Sequence, residues 1–417
     1  MTQAREHPEE QSTVLAGHAR WEESIRPEWE LLLYCARVSP DALQERVGAL
    51  LHEGLDWAYL IQTALRHSTM PLLYQRLATL CPAKIPDKPL TQLQAHFRNN
   101  ARRNFFLTGE LLRCLHWLNS HGILAVPYKG PLLAAAAYGD FALRQFDDLD
   151  ILLHEGDVVK ARHLLVSQGY LPEFQLNRAQ EAAYLRSQSA YKLVRDEGTL
   201  IIELHWRIVE DYFTFPLDPE QLWERLEPAP LAGKEVQTLS AEDLLLILCV
   251  HGTKHCWARL GWVCDVARLI HTRQEMDWEQ IIGQANALGA ERMLFLGLFL
   301  AHDLLGAALP EAVWKRMQGD TAAKSLAKQV KMQILRDTGE PPGILEASLF
   351  HLKARERWRD RVRYSIRLAI TPTPGDWASV SLPSALFPLY YLLRPFRLVG
   401  AYAPLLAKRW LHPSENK

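Results

Sequence analysis

Apolar residues recur every three or four positions through WELLLYCARV, ALQERVGALL, WAYLIQTALRH, MPLLYQRLATL and FFLTGELLRCLHWLNSHG, a spacing that predicts helices from about residue 21 to 120. Ser39-Pro40 and the loop CPAKIPDKP break the run. After His121-Gly122 the texture changes. ILAVPYKG (123–130) reads as a short strand, and PLLAAAAYGD as a helix with Pro131 in its first turn, where a missing N–H costs nothing. FDDLDILLH reads as a second strand, and DVVKARHLLVSQGY as an amphipathic helix closed by Gly169. SAYKLVRD, a turn at 196–198 and TLIIELHWRI form a hairpin. From about residue 240 the helical period returns in SAEDLLLILCVHGTKH, LGWVCDVARLIHT, DWEQIIGQANALG, ERMLFLGLFLAHDLLG and AVWKRMQ, with Ser240 and Asp243 as a variant capping pair.

These elements predict an α+β fold: a small mixed β-sheet core flanked by N-terminal and C-terminal helical regions. The expected divisions are a flexible leader (1–20), a helical region (21–120), the sheet core (121–235), a second helical domain (236–340) and a basic and apolar helical tail (341–417).

Composition narrows the class. The chain has 417 residues, 48% of them hydrophobic and 23% charged, with a net charge of −1, so no global attraction to nucleic acid or an anionic membrane is expected. Six scattered cysteines without a C-x-x-C pair fit reduced, buried thiols. The polar N-terminus lacks the apolar core of a signal peptide, and no apolar run is long enough for a transmembrane segment. The expected location is cytoplasmic, with peripheral attachment at a membrane surface left open by the tail.

The chemistry concentrates in FALRQFDDLDILL (141–153). Asp148 and Asp150 are two apart on a strand and therefore share a face, while Asp147 faces the other way and is read as a turn or supporting acid. Two carboxylates at a strand edge suit a hard divalent cation such as Mg²⁺. Glu203 interrupts the apolar strand TLIIELHW, where an unpaired carboxylate would be costly to bury. If the two strands are neighbours, Glu203 completes a cluster able to hold metal for in-line displacement at phosphorus. His205 shares the face of Glu203 and can hydrogen-bond a carboxylate. Lys129-Gly130-Pro131 marks a strand-to-helix junction, whose backbone N–H groups suit phosphate. Lys129 and Arg144 are candidate partners for phosphate charge, and Gly130 allows close backbone approach.

The ordered set PYKG, LRQFDDLDILL, GY and IIELHW resembles the DNA polymerase beta-like nucleotidyltransferase superfamily. Within it, the set is similar to a bacterial family of uncharacterised nucleotidyltransferases carrying a Lys-Gly, an Arg, an Asp-x-Asp and a later Glu-x-His-Trp. WAYLIQTALRHSTMPLLYQRL, HGTKHCWARLGWVCDVARLI and LPSALFPLYYLLRPFRL extend the likeness over roughly residues 25–405. The resemblance implies transfer of a nucleoside monophosphate from a nucleoside triphosphate, ATP being the first choice, with release of pyrophosphate. The acceptor (small molecule, peptide or protein, or RNA end) is left open. It also implies Mg²⁺ or Mn²⁺ held by Asp148, Asp150 and Glu203, with Glu203 alternatively the base for the acceptor, and phosphates placed by Lys129, Gly130 and Arg144. One departure stands out: the superfamily's Gly-Ser or Gly-Gly is replaced by Gly130-Pro131, so no Ser hydroxyl is offered to phosphate.

Two other readings compete. One is a non-catalytic nucleotide-binding scaffold of the same fold. The other is a His/Asp metal phosphohydrolase built on His251, His255 and Asp265, against which the same histidines read as the lining of a groove between the helical and sheet domains. In the tail, the basic helix expected over 353–367 presents Lys353, Arg355, Arg357, Arg359, Arg361, Arg363 and Arg367, a solvated face or a site for an anionic partner. ALFPLYYLLRPFRLVGAYAPLL is apolar and reads as packed on the body or lying at a membrane interface.

Overall fold

The computed structural model describes residues 25–38, 43–52, 54–336, 342–380, 382–383 and 386–411; the leader expected at 1–20 lies outside them. Four helices come first, α1 (Pro27–Ala36), α2 (Leu43–Leu50), α3 (Trp57–Arg66) and α4 (Met70–Leu80), followed by the long α5 (Asp87–Ser120). The sequence reading begins the last helix near Phe105, but it starts eighteen residues earlier, through the polar stretch TQLQAHFRNNARRN. That polarity has a use: Asn100 and Asn104 donate to the carbonyls of Ala142 and Arg144 at 2.9 and 2.7 Å, pinning the loop that leads into the aspartates.

The sheet has the order β1 (Ala125–Pro127), β2 (Asp148–Leu153), β5 (Leu200–His205), β4 (Ala190–Arg195) and β3 (Leu171–Pro172). β2 and β5 run parallel and the other neighbours antiparallel, giving the mixed sheet expected. The register sets Asp150 beside Glu203 and Lys192 across from Glu203, so the three side chains emerge on one face. The alternate positions Leu149, Ile151, Ile202 and Leu204 turn to the other face. There they join Leu107, Leu111 and Leu115 of α5 and Val158, Ala161 and Leu165 of α7 (Val158–Ser167) in one core. Period-two alternation thus divides one sheet into an apolar floor and a charged roof. Between β1 and β2 the helix α6 is a single turn, Gly130–Leu133, that widens into a π-turn at Ala134–Tyr138, and between β3 and β4 lies α8 (Arg178–Ser187).

A hairpin, β6 (Glu227–Leu231) and β7 (Lys234–Thr238), was not legible beforehand; Thr238 ties it to β1 by donating to the Pro127 carbonyl at 2.8 Å. The C-terminal helices α9 (Ala241–Lys254), α10 (Leu260–Thr272), α11 (Trp278–Leu288), α12 (Glu291–Leu305), α13 (Glu311–Gln318) and α14 (Thr321–Arg336) follow. They do not form a separate core. Leu31, Leu72 and Leu73 from the first helices and Leu245, Leu269 and Leu298 from the later ones belong to the same apolar cluster. The Val38 N–H bonds the Leu305 carbonyl across that junction at 3.3 Å.

The basic tail helix differs from expectation. α15 (Ile344–Lys353) ends and α16 (Trp358–Ile370) begins on either side of a break. The cause is Arg355, which is fully buried rather than solvated. Its guanidinium donates to the His351 carbonyl at 2.5 Å and to the Phe213 carbonyl, and lies between the Phe213 and Tyr364 rings, 4.6 and 4.0 Å from their centroids. α17 (Pro374–Ser379) and α18 (Leu389–Leu411) complete the described chain. All six cysteines are buried and free, as their scatter suggested.

Candidate active site

The charged face of the sheet begins with Asp150, which is buried. Lys129 Nζ and His205 Nε2 approach its Oδ1 at 3.1 and 3.0 Å, and His205 Nε2 also lies 3.3 Å from Glu203 Oε2. One imidazole therefore straddles both carboxylates. Burial alone would push the Asp150 carboxyl up, but the Lys129 charge and the His205 hydrogen bond outweigh it and hold the group well below the carboxylate range. The same opposition acts on Glu203, where the His205 hydrogen bond overcomes burial and lowers the carboxyl. His205 mirrors them: burial lowers an imidazole, yet the hydrogen bonds to Asp150 and Glu203 lift it to about 9. His205 is therefore an imidazolium at neutral pH.

Asp148 behaves differently. Burial and the neighbouring Asp150 charge raise its carboxyl to about 6, and Lys129 only partly offsets them. Like charges are crowded at this point of the strand, a situation that a bound cation relieves. Ligand atoms of Asp150, Glu203 and His205 lie within 4.8 Å of one another, the one such group of three among the described residues. With a proton on its ring, His205 supports the two carboxylates rather than adding a ligand, which is the supporting role the sequence reading gave it, while Asp148 stands one step along the strand. Asp148, Asp150 and Glu203 are oxygen donors of the kind that could hold a divalent cation. Asp147 is mostly exposed and faces Arg103, with Nε to Oδ1 at 3.6 Å.

Gly130 has φ +53°, and a Cβ there would stand 3.3 Å from the Asp148 carbonyl. Both facts favour glycine at this turn, which tucks the backbone against the strand carrying the aspartates. Arg144 meets a different arrangement from the phosphate contact expected of it. Its Nε and Nη2 grip both oxygens of Asp265 on α10 at 2.8 and 2.9 Å, and Tyr138 donates to the same carboxylate at 2.7 Å. Burial would weaken the charge, but Asp265 dominates and the guanidinium pKa is raised. Nη1 is left near the Gly130 carbonyl, at 3.5 Å. The pair clamps the sheet unit to the helical domain. It also removes Asp265 from the His251 and His255 metal site weighed above; His251 and His255 instead form a ring cluster with Trp262, with centroids 4.6 to 5.6 Å apart.

A cleft of 530 Å³ opens over the charged face, roofed by residues of α9, α10 and the turn between them. Both walls carry charge of both signs. The sheet side offers Asp148, Asp150 and Glu203 with Lys129 and Lys192 among them; the helical side offers Lys254, Arg259, Asp265 and the His251, His255 and Trp262 rings. Lys254 is paired with Glu210 at 2.8 Å, and Lys192 with Glu173 at 3.0 Å. Sequence reasoning missed Lys192, Lys254 and Arg259. The alternation of β4 against β5 could have supplied Lys192, and the other two lie inside HGTKHCWARLGWVCD, which was singled out for its histidines alone. α10 begins at Leu260, where the periodic segment LGWVCDVARLIHT starts. A Cβ on Gly261 would meet the His67 carbonyl at 3.0 Å, so the glycine allows close approach rather than breaking the helix.

A small mixed sheet thus sets paired aspartates and a glutamate on the floor of a cleft walled by helices. The family model described as uncharacterised nucleotidyltransferase matches residues 53–306, more than half of the chain, and the chain belongs to that family. Among solved structures, the antibiotic-resistance factor ANT(2'')-Ia is similar at 11% identity and a TM-score of 0.31, over 44% of this chain and 91% of that one. An antigenic nucleotidyltransferase-like protein from Paracoccidioides brasiliensis is similar at 17% identity and a TM-score of 0.29, over 51% of this chain and 96% of that one. No curated protein matches the chain.

Proposed function

We propose that this protein transfers a nucleoside monophosphate from a nucleoside triphosphate, ATP being the first choice, to an acceptor, releasing pyrophosphate. The observation that carries the reading is the convergence of Asp150, Glu203 and His205 on the floor of a cleft whose opposite wall brings Lys254, Arg259 and the His251, His255 and Trp262 rings. A divalent cation, Mg²⁺ or Mn²⁺, held by Asp148, Asp150 and Glu203 would neutralise phosphate charge and favour attack at the α-phosphorus. The residues of the chain supply the rest. Lys129 holds Asp150 ionised and in place, and the Gly130 turn brings backbone to the edge of the cleft. His205 fixes the spacing of Asp150 and Glu203 by donating between them. Glu203, the more open of the two, would complete the metal site or, alternatively, take the acceptor's proton as the new bond to the α-phosphorus forms and the α–β bridge breaks. Arg144, committed to Asp265, positions the Gly130 turn and the cleft walls rather than a phosphate.

The test is pyrophosphate release from each NTP with Mg²⁺ or Mn²⁺, alongside calorimetric titration with metal-nucleotide. Wild type should bind and turn over once an acceptor is supplied, and Asp148→Asn with Asp150→Asn should do neither. Equal metal-nucleotide binding by wild type and the double variant would show the assigned site to be wrong. Tight binding without turnover across acceptor classes would assign a nucleotide-binding scaffold instead.

A further inference from the structure

The strongest unassigned feature lies away from the cleft, on the tail. Along α16 the residues Trp358, Val362, Ile366 and Ile370 recur every four positions, and all are exposed, Trp358 to 71%. Each of the first three is followed directly by an arginine: Arg359, Arg363 and Arg367. These seven side chains line one shallow groove of 460 Å³. Helix α18 packs beside α16. Its Tyr390 and Arg394 turn inward, while Leu389, Leu392, Leu393, Phe396 and Val399 form a second exposed row on one side, with Phe396 exposed to 76%. Single exposed apolar residues need no explanation, but two neighbouring rows do.

Charge says what these rows fit. From Arg361 to Leu411 the sequence contains a single carboxylate, Asp376, against Arg361, Arg363, Arg367, Arg394, Arg397, Lys408 and Arg409. Asp376 is itself buried and held by Arg394 at 2.6 Å and by Arg397. Arg367 pairs with Asp211 at 2.7 Å and Arg363 lies 3.9 Å from Asp360, so among the described residues Arg359 and Arg363 are the exposed arginines of the groove that no close ion pair holds. The chain as a whole carries a net charge of −1, so the basic excess is local to this stretch of the sequence. A nucleic acid would use the arginines and leave the apolar rows in water. A single acidic partner helix would cover one row and not its neighbour. Apolar side chains bordered by arginine at each turn are the chemistry of a helix lying in a lipid interface, the stems buried and the guanidinium groups on phosphate. No helix among the described residues is long and apolar enough to cross a membrane, which leaves the surface.

We propose that α16 and α18 dock on the surface of an anionic lipid bilayer. The face shares no residue with the cleft, so this stands or falls independently of nucleotidyl transfer. The test is co-sedimentation of the full chain with vesicles of equal parts phosphatidylglycerol and phosphatidylcholine, and with pure phosphatidylcholine. The chain should pellet with the first and stay in solution with the second, and added salt should release it. Arg359→Gln with Arg363→Gln should lower partitioning by about five-fold per arginine. Val362→Ser, Ile366→Ser and Phe396→Ser together should abolish it. Because all five positions are exposed, each variant should keep the wild-type melting temperature. Failure to pellet with anionic vesicles at low salt would overturn the proposal, as would serine variants that pellet like wild type. Retention of RNA that depends on the arginines and ignores the serine changes, without vesicle binding, would assign the face to nucleic acid.

Discussion

Two buried histidines are kept in opposite charge states. His205 lies under the cleft between Asp150 and Glu203, and the two carboxylates raise it to about 9. His351 lies in the corner between α15 and α16, where burial and the neighbouring Arg355 lower it to about 4. Its partners are neutral: Nε2 meets the Lys254 carbonyl and Nδ1 the Tyr364 hydroxyl, both at 2.9 Å. That pattern fixes a single neutral tautomer, Nε2–H donating and Nδ1 accepting. The cations beside them follow suit. On the cleft side Lys129 and Arg144 each have a carboxylate, whereas Arg355 in the corner is satisfied by carbonyls and rings and is lowered by burial to about 10. Burial is common to both places; carboxylates facing an open cleft are not. That difference separates a cleft rich in charge from a polar joint in the corner.

The comparison can be broken most directly at Asp150. Asp150→Asn should reduce nucleotidyl transfer by more than about 100-fold, since even groups behind metal ligands cost 10- to 100-fold. A steady-state pyrophosphate assay checks it. Next is Asp265→Ala, which strands the buried Arg144 guanidinium and should cost about 3–5 kcal/mol in urea unfolding. A loss below about 1 kcal/mol would show that the clamp is not what joins the two units.

At the corner the effect depends on pH. The folded pKa of His351 lies below its unfolded value, so its contribution to stability is full above about pH 6.5 and is lost as pH falls toward about 4. Wild type should therefore lose up to roughly 3 kcal/mol more than His351→Gln across that window, read as the difference between their unfolding curves. Arg355→Met should cost least, about 1–3 kcal/mol, because it leaves neutral carbonyls rather than a charge unpaired. If Arg355→Met proved costlier than Asp265→Ala, the distinction between a carboxylate-held and a carbonyl-held cation would fail.

The sheet and its acids were legible because strand alternation and a parallel neighbour are simple geometry. Asp148 and Asp150 on one face with Glu203 beside them follow from period two once β2 and β5 are adjacent. Partner choice was not legible. Arg144 sits four residues from Asp148 and reads as a phosphate group, yet its carboxylate arrives from Asp265, more than a hundred residues away. Likewise Arg355 sits in a run of surface arginines, and only the packing of Phe213 and Tyr364 reveals that it is buried. Local pattern carries periodicity; it does not carry which distant group a long side chain will find.

The apolar cluster shared by Leu31 and Leu298 bears on how the chain comes off the ribosome. Helices α1–α4 are made first, while the helices that cover them begin only at Ala241. At ordinary synthesis rates that interval lasts roughly ten to thirty seconds, during which the strands can pair with one another while the early helices still lack their cover. Nascent chains stalled after Thr238 should therefore hold the first helices in a protease-sensitive, chaperone-seeking state.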